Sequence, residues 1–214
     1  MKRANNININ TGKYWDGIYA DKEKREQYAT QGTSVAPVKV GIEFIKPTSR
    51  FRRATDEVQD GQRVVDMGCG VGAFTTLLHG IKPNCEIWGT DISAKAMHDN
   101  TMERPQIRYL HQTIGKQDLL PNDYFDVVFS GETLEHLDDP NDLFKDAHRV
   151  LKPNGKFVLT TPNKDWITSP EHTWMFDHDD VKRLYEDNGF GRVRFVYLPG
   201  DEATLVIMAI GFKK

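Results

Sequence analysis

The sequence predicts an α/β fold: a three-layer sandwich with a mostly parallel seven-stranded sheet and an antiparallel closing strand. Three observations carry this. From about residue 60 onward, short apolar runs rich in β-branched residues alternate with helical stretches, the pattern of a sheet with helices packed on its faces. The first run, Val64-Val65-Asp66-Met67-Gly68-Cys69-Gly70-Val71-Gly72, passes from a buried strand into three alternate glycines, then into the helical stretch Ala73 to His79. The last two runs, Val193 to Leu198 and Leu205 to Phe212, are joined by Pro199-Gly200-Asp201, a hairpin turn that makes the closing strand antiparallel.

The 214 residues fit one α/β domain over residues 59–214, with an N-terminal helical extension over 1–58 that covers the ligand site. Hydrophobic residues make up 38%, enough for a core, and the longest apolar run, Ala203 to Phe212, is too short to span a bilayer. Met1 to Asn10 is polar and lacks the apolar core of a signal peptide, so these first residues read as mobile and the protein as soluble and cytoplasmic. Two cysteines, Cys69 and Cys85, suit a reducing compartment. The net charge of −3 does not favour a long polyanionic partner.

Within the extension, Tyr14 to about Tyr28 reads as an amphipathic helix that opens on Tyr14-Trp15-Asp16. Gln31 to Ser34 reads as a loop and Val38 to Ile45 as an apolar stretch. Arg50 to Arg53 reads as a solvated helix face. After the glycine turn, Ile87-Trp88-Gly89-Thr90-Asp91-Ile92 is a second strand ending in an acid. Ser93 caps a helix through about Met102, which Pro105 stops, and Ile107 to Leu110 is the third strand. Tyr124 to Ser130 is the fourth. It emits Gly131-Glu132-Thr133-Leu134-Glu135-His136, and Asp139-Pro140 then opens a helix through Leu151. Lys152 to Lys156 reads as a turn before the fifth strand, Phe157 to Thr161. The long irregular connection Thr161 to His178 offers Trp166, Trp174, Met175 and Phe176 as an acceptor-site wall, and a helix over Asp179 to Asn188 follows.

The chemistry starts at the glycine turn. Strand, tight glycine turn and helix form the opening of a Rossmann-like nucleotide site. Asp66 at its mouth would repel a pyrophosphate and attract a cation. S-adenosylmethionine (SAM) carries an ammonium and a sulfonium and no phosphate. Asp91, about 20 residues past the turn, is where a carboxylate takes ribose hydroxyls.

Asp66, Gly68, Gly70, Gly72 and Asp91, with the Phe125-Asp126-Val127-Val128 strand, resemble the class I SAM-dependent methyltransferases over about residues 60–212. The resemblance implies cofactor contacts from Tyr14, Trp15, Asp66, Gly68, Cys69, Gly70, Asp91, Ile92, Gly131 and Glu132. It also implies an adenine acceptor after the third strand. The family often places an acid there; here Gln112 and Thr113 stand in its place, with Asp118 a displaced alternative. Glu135-His136 after the fourth strand resembles quinone-biosynthesis O-methyltransferases, which implies His136 as base with Glu135 orienting it. The implied acceptor is a small molecule or glycan.

Glu132, Glu135 and His136 together also resemble small-RNA 3′-terminal 2′-O-methyltransferases, with His172 completing a site for Mg²⁺, Mn²⁺ or Zn²⁺. A single helical turn over 132–136 would put the first three on one face. The alternatives to small-molecule O-methylation are therefore a metal-dependent RNA ribose methyltransferase and a SAM-binding protein without catalysis.

Overall fold

Val64 and Val65 are both fully buried, although neighbouring residues of a strand point to opposite faces. That happens when both faces of the strand are covered. The computed structural model describes residues 1–3, 10–25, 50–165, 171–198 and 205–214. In it, β1 (Lys2–Arg3) is followed by β2 (Arg63–Met67), the first strand of the main sheet. Beside β2 lies β3 (Glu86–Asp91), then β4 (Arg108–His111); on its other side lies β5 (Phe125–Gly131), then β6 (Leu151–Pro162), all parallel. Short β7 (Trp174–Met175) stands apart, and β8 (Phe190–Phe195) and β9 (Val206–Lys213) complete the sheet. The order is β4-β3-β2-β5-β6-β9-β8, with β9 antiparallel to both its neighbours. Seven strands and one antiparallel closing strand match the expectation from sequence.

The chain winds outward from β2 to β4, then returns to β5 on the opposite side. Such a reversal opens a crevice at the carboxyl ends of the strands. The helices that cover the faces are α1 (Gly12–Ala20), α2 (Arg50–Thr55), α3 (Ala73–Ile81), α4 (Ala94–Glu103), α5 (Pro140–Val150) and α6 (His178–Asp187). Val64, Val127, Phe129 and Val158 pack with Trp15, Phe51, Phe74 and Met97 on one face. Val65, Val128 and Phe157 pack with Phe144, Val181 and Tyr185 on the other. Side-chain chemistry fixes the helix starts: Ser93 Oγ accepts from Ala96 N, Asp139 accepts from Asn141 N ahead of Pro140, and Asp177 and Asp180 form a capping box.

Several expectations change. In the described part of the N-terminal extension, Trp15, Ile18, Tyr19, Phe51 and Ala54 join the same core as Phe74. The first helix breaks after Ala20; residues 22–25 are helical again beyond Asp21, and residues 26–28 lie outside the described residues. Lys2–Arg3 is not loose but pairs antiparallel with β7, and the Met1 ammonium meets Asp180. In α2, Arg50 and Phe51 are buried, so this basic run is not wholly a solvated face. The expected turn over Lys152 to Lys156 is a bulge inside β6: Phe125 pairs with Leu151 and Val127 with Lys156, with Asn154 at φ 63°. Phe176 is fully buried, so it belongs to the core rather than to an acceptor wall. Gln31 to Ser34, Val38 to Ile45, Trp166 and the Pro199-Gly200-Asp201 turn lie outside the described residues.

Phe144 sits at the centre of one core face, with ring centroids 4.9 Å from Tyr185 and 5.2 Å from Phe157. Truncating it leaves a cavity between α5, α6 and the sheet. Phe144→Ala is expected to lower stability by about 3–5 kcal/mol, read from the urea midpoint.

Candidate active site

At the sheet reversal lies a cavity that opens to solvent, lined from the ends of β2, β3 and β5 and by Trp15 and Tyr19 of α1. Its floor is the glycine turn. Gly68, Gly70 and Gly72 have φ of 79°, 50° and 76°, the left-handed region that favours glycine. A Cβ on Gly68 would sit 2.4 Å from Thr133 Oγ1, and one on Gly70 would sit 2.8 Å from the Tyr19 hydroxyl. The Gly70 backbone is held at both its polar atoms: its N–H donates to Asp91 Oδ2 at 2.9 Å, and its carbonyl accepts from Asn100 Nδ2 at 2.8 Å.

Ser93 N donates to the other Asp91 oxygen at 2.9 Å, so the carboxylate is fixed at the cavity edge. Burial pushes the Asp91 pKa up while these two amides pull against it. Asp66 is buried more deeply. Burial, then the charge of Asp91, raise its pKa well above the usual range. Asp66 Oδ1 has no hydrogen-bond partner among the described residues, an open acceptor on a residue that lines the cavity.

Cys69, Ile92, Gln112, Thr113, Gly131, Glu132 and His136 also line the cavity, as expected. Gln112 departs in detail. Its amide is committed to the following loop, accepting from Leu119 N at 2.7 Å and donating to Gln117 at 3.3 Å. Asp118 is not among the lining residues. Tyr14 does not line the cavity either, unlike Trp15: its hydroxyl donates to Glu171 Oε1 at 2.8 Å, and burial, then this bond, raise its pKa to about 12.

The expected helical turn over 132–136 does not form. Glu132 has φ 53°, and only Leu134–His136 wind into a 3₁₀ turn. Glu132 instead pairs with Arg50 Nε at 3.1 Å, both side chains buried. Glu135, His136 and His172 do come together, their ligand atoms all within 4.8 Å of one another, and Glu132 is outside that group. His136 Nδ1 lies 2.8 Å from the Glu171 carbonyl. A carbonyl only accepts, so Nδ1 carries the proton and Nε2 of the neutral ring has the lone pair. Burial lowers the His136 pKa and, with the neighbouring His136 ring, lowers that of His172 to about 4. Glu135 accepts from Thr161 Oγ1 at 2.9 Å and lies 3.8 Å from His136 Nε2; burial, then Glu132, push its pKa well up.

Sequence reasoning missed Tyr19, Phe51, Phe129 and Thr133 in the lining, as well as Arg50 and Glu171. Only Phe129, inside a readable strand, carried a local signal.

Fold and site together define a Rossmann-like domain whose cavity is lined by the buried carboxylates Asp66 and Asp91 and by His136. A family model described as a methyltransferase domain matches residues 43–195. The chain belongs to this family, as a class I SAM-dependent methyltransferase domain. It is 32% identical over 136 residues to a ubiquinone biosynthesis O-methyltransferase of Rhodopseudomonas palustris, covering 58% of this chain and 51% of that one. It is 31% identical over 121 residues to a malonyl-[acyl-carrier protein] O-methyltransferase of Hahella chejuensis, covering 53% and 41%. The chain thus spans about half the length of these curated relatives. Among solved structures, a Haloferax volcanii methyltransferase bound to the activator Trm112 superposes with a TM-score of 0.68 at 16% identity, covering 92% of this chain and 96% of that one. A SAM-dependent methyltransferase of Aquifex aeolicus gives 0.65 at 18%, covering 77% and 90%. At such identities the superpositions show the fold.

The close approach of Gly68 to Thr133 gives a direct test of the turn. Gly68→Ala is expected to lower stability by about 1–3 kcal/mol through left-handed strain, with the Thr133 clash added to it. Gly68→Ala/Thr133→Gly should recover the clash part only. Equal unfolding midpoints for Gly68→Ala and the wild type would mean that the turn relaxes freely.

Proposed function

We propose that this chain transfers a methyl group from SAM to a hydroxyl oxygen of a small molecule or glycan. One observation carries the reading: Asp66 and Asp91 share a single cavity with His136, behind which Glu135 lies 3.8 Å from the ring. The first pair suits the cofactor and the second suits deprotonation of an acceptor.

The residues present fit SAM. The open Asp66 oxygen suits a cationic group, the left-handed glycines leave bare backbone, and Asp91 retains lone pairs for ribose hydroxyls. Asp66, Gly68, Cys69, Gly70, Asp91, Ile92, Thr113 and Gly131 would hold it, with Trp15 as cover. When bound, SAM supplies an electrophilic methyl carbon on a good leaving group.

The chain's own contribution is alignment, exclusion of water and removal of one proton. His136 Nε2 takes the acceptor proton. The Glu171 carbonyl holds the opposite ring edge, and Glu135 lies 3.8 Å from Nε2. The two relatives named above are both O-methyltransferases by name, which supports an oxygen acceptor.

Asp91→Ala is expected to weaken binding of S-adenosylhomocysteine by about 2–4 kcal/mol in calorimetry. His136→Ala should leave that affinity nearly unchanged and lower turnover roughly 10²-fold. Labelled SAM offered with catechols, sugars and RNA oligonucleotides, followed by mass spectrometry, identifies the acceptor class. Labelled RNA would favour the ribose-methylating alternative. Tight cofactor binding with no labelled product across the panel would favour a binding protein without catalysis.

A second reading is favoured by the convergence of Glu135, His136 and His172. One carboxylate and two imidazoles suit Zn²⁺ or Mn²⁺, with Mg²⁺ less well matched. A cation there would supply Lewis acidity toward an acceptor hydroxyl. Under the lone-base reading, EDTA leaves turnover intact and His172→Ala is nearly silent. Loss of activity in both, with Mn²⁺ or Zn²⁺ restoring the chelated enzyme, would replace it with the metal reading.

A further inference from the structure

The tyrosine beside Trp15 does not reach the cavity, yet it ends on the residue that holds the catalytic histidine. Tyr14 OH donates to Glu171 Oε1 at 2.8 Å, and the same Glu171 accepts from His136 Nδ1 at 2.8 Å through its backbone carbonyl. We propose that Tyr14 and Glu171 are positioning residues for His136. α1 then has two tasks: Trp15 covers the cavity, and Tyr14 fixes the base. This inference rests on the reading of His136 as the base and assigns Tyr14 a role other than cofactor contact.

The surrounding contacts explain why a single hydroxyl matters. Segment 171–174 is clasped to the turn after β5 by three further points. Thr173 N donates to the Glu135 carbonyl at 2.7 Å, Trp174 Nε1 donates to the Leu137 carbonyl at 2.8 Å, and the His172 ring lies 5.3 Å from that of His136. Two of these anchors lie after residue 172, on the carboxyl side of Glu171. Tyr14 holds Glu171 itself from outside the loop. On the other flank, Trp15 stands edge-on to His136 with centroids 5.1 Å apart, and Tyr14 stands edge-on to Trp15 at 5.4 Å. Adjacent residues of one helix thus grip His136 directly and through Glu171.

α1 is itself anchored. Asp16 Oδ1 accepts from Ser93 Oγ at 2.6 Å and from Lys95 N at 3.0 Å, at the start of α4. Ser93 N in turn donates to Asp91. Tyr14, Trp15 and Asp16 therefore run from the base to the carboxylate expected on the ribose. A base displaced by about 1 Å loses on the order of 10²-fold in rate, so a loosened hold on Glu171 should appear in turnover before it appears in cofactor affinity.

The test uses full-length protein labelled with ¹⁵N-histidine and saturated with S-adenosylhomocysteine at pH 8. His136 signals are assigned by their loss in His136→Gln. In the wild type the ring is held as the Nδ1–H tautomer. In Tyr14→Phe the Nε2–H tautomer should rise severalfold, and turnover on whichever panel acceptor is methylated should fall about tenfold. KM for SAM, affinity for S-adenosylhomocysteine and the melting temperature should stay as in the wild type. Glu171→Gln keeps an acceptor for the hydroxyl and should retain more turnover and more of the Nδ1–H tautomer than Glu171→Ala, whose tautomer shift should follow that of Tyr14→Phe. A Tyr14→Phe variant with unchanged tautomer and rate overturns the proposal. So does one whose defect lies in KM for SAM, which returns Tyr14 to the cofactor. Undiminished turnover in His136→Gln removes the base assignment itself, a result distinct from either of these.

Discussion

The site depends on the backbone of one residue, Gly70. Its N–H is bound by Asp91 and its carbonyl by Asn100, so the peptide units on either side of Gly70 are each held, and neither can rotate without losing a buried bond. Asn100 is in turn held by Arg104, whose Nη1 donates to Asn100 Oδ1 at 3.1 Å. Beneath the next glycine, Thr75 Oγ1 donates to the Gly72 carbonyl and meets the Tyr109 hydroxyl. A left-handed residue is soft by itself; here the second layer of polar contacts makes it rigid. Asp91 has two functions at once, as a brace for the turn and as a wall of the cavity. That is why an acid at the end of β3 is tied to glycines at the end of β2.

The parallel sheet supplies the rest of the frame. Because β2 and β5 are neighbours that lead in opposite directions, the turn after β2 and the turn after β5 face each other across the crevice. Thr133 Oγ1 donates to the Gly68 carbonyl at 3.3 Å, joining the two turns directly. The turn after β2, with its glycines, and the turn after β5, with His136, are thus separate loops on a common rigid edge. Their separation is set by strand register, Val65 opposite Val128 and Asp66 opposite Phe129, rather than by loop conformation.

What could be read from sequence was what is local. The glycine turn, Asp66, Asp91, the Ser93 cap and the alternation of strands and helices each depend on residues within about one turn of each other, where chemistry and period speak directly. The fold was legible because the two periods alternate cleanly from residue 60 onward. The failures have one shape. Extending a helical period through Glu132 assumed a right-handed backbone where the chain is left-handed, and so put Glu132 on the wrong face. Arg50 read as surface because its partner lies 82 positions away and no local pattern marks it. The resemblance groups Tyr14 with Trp15 on the cofactor, but adjacent helix residues point about 100° apart, so one lines the cavity and the other reaches Glu171. The Lys152 to Lys156 stretch has turn residues, yet pairing on both sides absorbs it into β6 as a bulge.

Burial makes the carboxylates of this site costly to ionise. Asp66, Asp91 and Glu135 all have raised pKa values, with burial as the largest cause in each. For a carboxyl whose folded pKa lies above its unfolded value, the native state binds the extra proton in the window between the two. Its contribution is favourable below that window and is lost as pH rises through it. Near neutral pH the empty site therefore holds groups whose ionisation works against folding. A cation placed against the open oxygen of Asp66 reverses the sign for that group, since an opposite charge favours the ionised form. Cofactor affinity and stability are then one quantity seen from two sides: the carboxylate that is unfavourable in the free protein is the one that discriminates for a cationic ligand.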